Sequence, residues 1–219
     1  MAKYVVALAA ALCVFGQDSQ PAAPASDAHI LGIVPNRTTV NDPNQVFQPI
    51  STREKFKLAT LDTMDPFNFV IVGIYAGVEQ WTNSYPGFGQ GATGYAKRYG
   101  ANFADGAIAN YMTEAIMPTL LHQDTRYFRL GEGSAWKRVG YAMSRVLITH
   151  RNDGSWTFNS SEFAGNAIAA GISNAYYPAD SRSAASAAEK FALNVASDAG
   201  FNVLKEFWPD MRRRIFARE

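Results

Sequence analysis

The chain has 219 residues, 47% of them hydrophobic and 18% charged, with 20 Lys and Arg against 19 Asp and Glu and one cysteine. A chain of this length and apolar content buries a core as one domain or two small ones, so disorder throughout is excluded. A single cysteine excludes a disulfide framework and a thiolate zinc site, and a formal charge of +1 gives no bulk attraction to nucleic acid.

Residues 1–16 have the layout of a secretory signal peptide: Lys3, an apolar run over 4–15, then the small residue Gly16. The run of about 12 residues is shorter than the roughly 20 that span a bilayer. Leu12, ahead of Cys13, lacks the small side chain expected at a lipoprotein processing site. The expectation is an exported protein, periplasmic or associated with the outer membrane, whose mature chain carries no thiol. Residues 17–29, polar and rich in Pro and Ala, read as a disordered linker, and 30–50 as an extended strap.

Residues 51–219 read as a helical domain. Ser51 with Glu54 is a capping box for a helix over 51–63. Asp65-Pro66 caps a second helix over 67–82, which is apolar nearly all round and so expected at the centre. A third runs over 92–117, where Pro118 ends or kinks it. Ser134 opens a helix through residue 149, and Asn159 with Glu162 another to 177. Asp180 or Ser181 opens the last, to 207, with Pro209 breaking it ahead of a short basic helix over 210–217. Only Trp156-Thr157-Phe158 looks strand-like. The predicted fold is all-α, a single compact bundle of about five to six helices.

Small residues recur four apart, as in Gly73 and Gly77, in Gly165, Ala169 and Ser173, and in Ala188, Ala192, Ala196 and Gly200, so close-packed helix interfaces are expected. Polar residues at helical spacing beside them, among them Asn102, Asp105, Asn110, Asn166, Asn194 and Asn202, predict an interhelical hydrogen-bond network.

The densest polar segment is 121–129, LHQDTRYFR. There His122 would serve as a general base oriented by Asp124 or Glu114, the catalytic set of a hydrolase; local pairing of Asp124 with Arg126 is the structural alternative. A second acid–base possibility is convergence of Glu114, Asp105, Glu162 and Asp198 on one cleft, as paired carboxylates do in glycoside cleavage. The histidines have no metal-ligand spacing, so no metal and no cofactor is expected. Gly89-Gln90-Gly91-Ala92-Thr93-Gly94 matches the dinucleotide fingerprint in letters but follows a helix and not a strand, which leaves at most an anion at the next helix's N-terminus beside Lys97 or Arg98.

Residues 93–151 carry eight basic and four acidic groups, with aromatics interleaved. Lys97, Arg98, Arg126, Arg129, Trp136, Lys137 and Arg138 are therefore the candidates for a basic aromatic face toward anionic lipid or an envelope partner, with nucleic acid excluded by export.

The runs RYGANFADGAIANYMTEAIMPTLLHQDTRYF (98–128), ILGIVPN (30–36), GISNAYYP (171–178) and FNVLKEFWPD (201–210) give the chain a likeness over about residues 30 to 216. In these runs it resembles an uncharacterised family of small exported helical envelope proteins of environmental bacteria. That resemblance implies export and one helical domain, and supplies no site. The leading expectation is a non-enzymatic envelope protein that binds lipid or a partner through its basic aromatic face. The alternative is a periplasmic hydrolase of an envelope polymer or lipid using His122 with Asp124 and Glu114. Oligomeric state is left open by the sequence.

Overall fold

Ser51 opens the first helix, α1 (Thr52–Thr63), by accepting a hydrogen bond from the Glu54 amide at 3.2 Å. In the computed structural model the described residues are 29–30, 33–42 and 45–216. The predicted signal segment and all of the predicted linker except His29 lie outside them. Asp65 caps α2 (Pro66–Trp81) through the Phe67 amide, with Pro66 in the first turn where its missing N–H leaves nothing unpaired. Ser134 and Asn159 likewise cap α5 (Ala135–Ser144) and α6 (Ser160–Tyr176), as their sequence contexts predict.

The third helix, α3 (Gly91–Asn110), runs without a break into a π-helical turn, Tyr111–Ile116, and then into α4 (Met117–Leu120). Pro118 supplies the physical reason. In a regular helix its ring would collide with the Glu114 carbonyl four residues earlier, and the wider π-turn relieves that clash without ending the helix. α6 packs on this turn at Gly165, where a Cβ would lie 2.9 Å from Thr113 Cγ2 and 3.0 Å from the Met112 carbonyl carbon. The small-residue stripe of α6 thus lets two helices meet at backbone distance.

The last helix, α7 (Ala184–Phe216), is continuous through Pro209, contrary to the predicted break. The Glu206 carbonyl, three residues before the proline, accepts from Arg129 Nε and Arg138 Nη2, both at 2.8 Å, so two guanidiniums tie this stretch of the helix to the rest of the fold, while the carbonyl left without its helical amide by Pro209 is that of Lys205. Its start is also later than predicted: Asp180 and Ser181 form a 3₁₀ turn, and Ser183 Oγ accepts from the Ser186 amide.

The all-α expectation holds only as a mostly helical fold, because the described residues also form seven short strands in three small sheets. β1 (His29–Ile30) and β2 (Val34–Pro35) form an antiparallel pair in the strap, and β3 (Thr39–Val40) runs parallel to β5 (Tyr127–Phe128). β4 (Gln123–Asp124), β6 (Ile148–Arg151) and β7 (Trp156–Phe158) form a three-stranded antiparallel sheet. The predicted helix through 149 therefore ends at Ser144. Ile148 and Thr149 are β-branched and face the strand-like Trp156–Phe158, and that pairing overrides continuation of the helix.

α3 with its π-turn is central, touching α1, α2 and α6, while α7 lies across α6 and α5. α2 does not take the central place its composition predicts. It packs against α3 with only Val72 and Ala76 buried, whereas Val70, Ile74, Val78 and Trp81 are 59%, 56%, 49% and 87% exposed. The interior is correspondingly polar. Among the described residues, Arg98, Glu206, Asn166, Thr63, Asp124, Ser161 and Ser173 are fully buried, in company with Ile30 and Pro118.

Candidate functional site

The π-turn, α6 and α7 enclose a cavity of about 220 Å³ whose other wall comes from β5, β6 and β7. Helical spacing builds it. Asn194, Asp198, Phe201 and Lys205 follow one another on a single face of α7, Glu162 and Asn166 lie one turn apart on α6, and Asn110, Thr113 and Glu114 come from the end of α3 and its π-turn. Asn166 Nδ2 donates to Glu162 Oε1 at 2.7 Å, and Asn194 Nδ2 donates to Asn166 Oδ1 at 3.1 Å. Glu162 and Asp198 share a hydrogen bond, which two carboxyls can do only with a proton between them.

These acids are held away from their usual ionisation. Burial pushes the Glu114 carboxyl up to about 8, with Asp62 and Asp198 adding to the rise and Lys205 opposing it. Burial likewise raises Glu162, with Asp198 adding to the effect, and raises Asp198, where the Glu162 bond, Lys205 and Asn166 oppose. At neutral pH Glu114 is therefore mostly protonated and the Glu162 and Asp198 pair retains a proton, while Lys205, Arg145 and Arg126, the last paired with Asp124, place positive charge on the cavity wall. Glu114 is half-buried as a residue because its stem lines the cavity, but its Oε2 is closed to solvent and has no hydrogen-bond partner. Among the described residues no group of three or more His, Cys, Asp and Glu is placed to hold a metal ion.

The predicted catalytic set of His122, Asp124 and Glu114 is not assembled. His122 is exposed at the end of α4 with φ +53°, and neither it nor Asp124 lines the cavity that Glu114 lines. Asp124 is fully buried and grips Arg126, at 2.7 Å to Nη2 and 3.0 Å to Nε, which is the local pairing named as the alternative. Of the four acids considered for a glycoside-cleaving cleft, the structure brings Glu114, Glu162 and Asp198 together. Asp105 instead accepts from Lys190 at 2.9 Å and from the hydroxyls of Tyr176 and Tyr177.

The predicted basic aromatic face is mostly internal. Arg98 is fully buried, donating to the carbonyls of Ser84, Tyr85 and Gly89 and to Gln80 Oε1. This also explains the glycine string. Gly89 and Gly91 have φ of +79° and +71°, and Gly94 leaves room for the Gly89 carbonyl, so the loop folds tightly over Arg98 and that guanidinium is not directed to an anion. Arg138 donates to Glu206 Oε1 at 2.7 Å, and both Arg138 and Arg129 also pair with Asp210. Arg126 is tied to Asp124 and to the Gln48 carbonyl. Lys97, Trp136 and Lys137 are exposed.

Glu206 is the residue that sequence reasoning passed over. Its two carboxylate oxygens accept from Tyr127 Oη, from the Leu130 and Gly131 amides and from Arg138, which locks α7 to the segment between β5 and α5. An acid one turn before a proline in a basic segment was its only signal. Comparisons with protein-family models, with curated proteins and with solved structures find no match.

Proposed function

We propose that the protein is an exported envelope protein that lies against lipid, and that its contact surface is the outer face of α2 rather than a basic aromatic patch. The observation that carries the reading is the outward stripe Val70, Ile74, Val78 and Trp81, four large apolar side chains at helical spacing on a helix whose neighbours leave them uncovered. The stripe is about 17 Å long. Tyr95 and Tyr99 of α3 bind the Gly73 and Phe69 carbonyls and flank α2, and aromatic rings of this kind suit the headgroup level of a bilayer.

A further observation bears on the mode of contact. No described helix is long and apolar enough to cross a membrane, so the contact is one of lying on the surface. Export rests on residues 1–16.

Flotation of the purified protein with phosphatidylcholine vesicles, alone and mixed with phosphatidylglycerol, tests the reading. The protein should float with both and remain bound in high salt, because apolar contact is not screened. The double variant Ile74→Glu/Val78→Glu should lower the partition coefficient at least about tenfold, the equivalent of 1.4 kcal/mol. Equal flotation of variant and parent, or no flotation of either, overturns it.

A further inference from the structure

The cavity is a separate surface, since no α2 residue lines it. Its two ends differ in charge. At one end Glu162 and Asp198 share their hydrogen bond, and the Lys205 charge acts on Asp198 and on Glu114. At the other stand Arg145, Arg126 and His150, and the acid that bears on this imidazole is Asp124, which Arg126 already holds at 2.7 Å.

This arrangement leaves Arg145 without a counter-ion. Its guanidinium carbon lies 4.4 Å from the centre of the Trp156 ring and 4.5 Å from that of Tyr141, so two aromatic rings fix its position. Its polar partners are hydroxyls: Ser144 Oγ accepts from Nε at 3.3 Å and from Nη2 at 3.1 Å, and the Tyr141 hydroxyl is beside it. No carboxylate of the described residues pairs with it, whereas Arg37, Arg126, Arg129 and Arg138 each meet one. Arg145 is half-buried, so it retains surface toward the cavity that a ligand can reach. A guanidinium keeps its charge in such a site, and an oxyanion that accepts two of its N–H bonds at once offsets the cost of its desolvation.

The approach to Arg145 is apolar. Alternate residues of a strand share a face, so Ile148 and His150 of β6 stand with their partners Phe158 and Trp156 of β7 on one side of the sheet. Ile148 and Trp156 line the cavity and are exposed, and Phe158, also exposed, continues the strip outward. His150 stacks on Trp156 with ring centres 3.6 Å apart. We propose that this end of the cavity binds the head group of a small amphipathic anion, a carboxylate or phosphate monoester whose oxygens pair with Arg145 and whose apolar body lies over Ile148, Trp156 and Phe158. The inference does not rest on the lipid contact of α2.

Titration of the ¹⁵N-labelled protein with decanoate and with monodecyl phosphate tests it, with decanol as the uncharged counterpart and inorganic phosphate as the anion without an apolar body. At least one amphipathic anion should shift the amide resonances of Arg145, His150 and Trp156 in a saturable way, and the tighter of the two identifies the head group. Decanol and inorganic phosphate should each bind there at least about tenfold more weakly. Arg145→Gln strands no carboxylate, so it should stay folded and weaken binding of the anion at least about tenfold. Ile148→Glu, at an exposed position of the mouth, places a carboxylate where the apolar body would lie and should weaken binding independently of the first variant. No saturable shift at these residues with either anion, equal binding of decanol or inorganic phosphate, or undiminished binding by either variant in its folded form overturns the proposal. Shifts confined to the amides of α2 would report that helix's lipid contact and count against this site.

Discussion

Glu206 and Arg98 carry charge into the interior, and the surrounding donors and acceptors make each tolerable. Removing one partner of such a buried pair costs about 3–5 kcal/mol, because the other is left uncompensated. Glu206→Ala, which strands Arg138 and the Leu130 and Gly131 amides, should lower the melting temperature by roughly 10 °C in a calorimetric scan. Arg98→Lys keeps the charge but cannot reach all four acceptors with one ammonium, so it should lose about 2 kcal/mol in a urea titration and not behave as a conservative change. These arginines were readable as basic residues among aromatics. The same letters describe a surface patch and an internal fork, and only the partners, 9 to 18 residues away for Arg98 and 68 to 72 for Arg138, tell them apart.

Glu114 makes a prediction in pH. Its folded pKa, about 8, lies above the ordinary 4.5, so between these values the folded chain holds a proton that the unfolded chain has released. Its contribution is therefore full below about pH 4.5 and is lost as pH rises through about 8. Asp65 and Asp210, held below their usual range, act in the opposite direction and lose theirs as pH falls. Comparison with Glu114→Gln isolates the first effect: parental stability should fall relative to that of the variant between pH 5 and pH 8 in parallel thermal melts. A constant difference between the two across that range would contradict it.

At the scale of elements, the helix starts were legible because caps are local. Ser51, Asp65, Ser134 and Asn159 each bond an amide two or three residues on. The prolines were not, because whether Pro118 or Pro209 ends a helix depends on its surroundings, a π-turn before Pro118 and, around Pro209, a helix held to the rest of the fold by two distant guanidiniums on the Glu206 carbonyl. The short strands depend on partners far along the chain, as β3 does on β5. Glycine substitutions separate the two kinds of small-residue stripe. Gly165→Ala drives a methyl group into Met112 and Thr113 and should destabilise by about 1–3 kcal/mol. Gly200→Ala, whose Cβ would meet nothing within 4 Å, should stabilise α7 by about 0.5–1 kcal/mol. Denaturant midpoints of the two variants should move in opposite directions.

At the scale of the molecule, polarity is distributed in reverse of the usual pattern: large polar side chains fill much of the interior while α2 turns its most apolar residues outward. The sequence showed α2 to be apolar all round, and a central position was the natural reading for a water-soluble bundle. The same composition also suits a helix with protein on one side and lipid on the other, and composition does not distinguish these environments. The carboxylates of the cavity were legible only as a possible convergence, since 36 residues separate Glu162 from Asp198 and no local pattern sets which helix faces meet.

Trp81, 87% exposed at the end of the α2 stripe, reports on the central claim directly. Fluorescence should be quenched when the protein is mixed with vesicles of phosphatidylcholine brominated along the acyl chain, and Trp81→Phe should lose most of that quenching while Trp136→Phe keeps it. Quenching that is absent, or that survives Trp81→Phe unchanged, would contradict the placement of α2 against lipid.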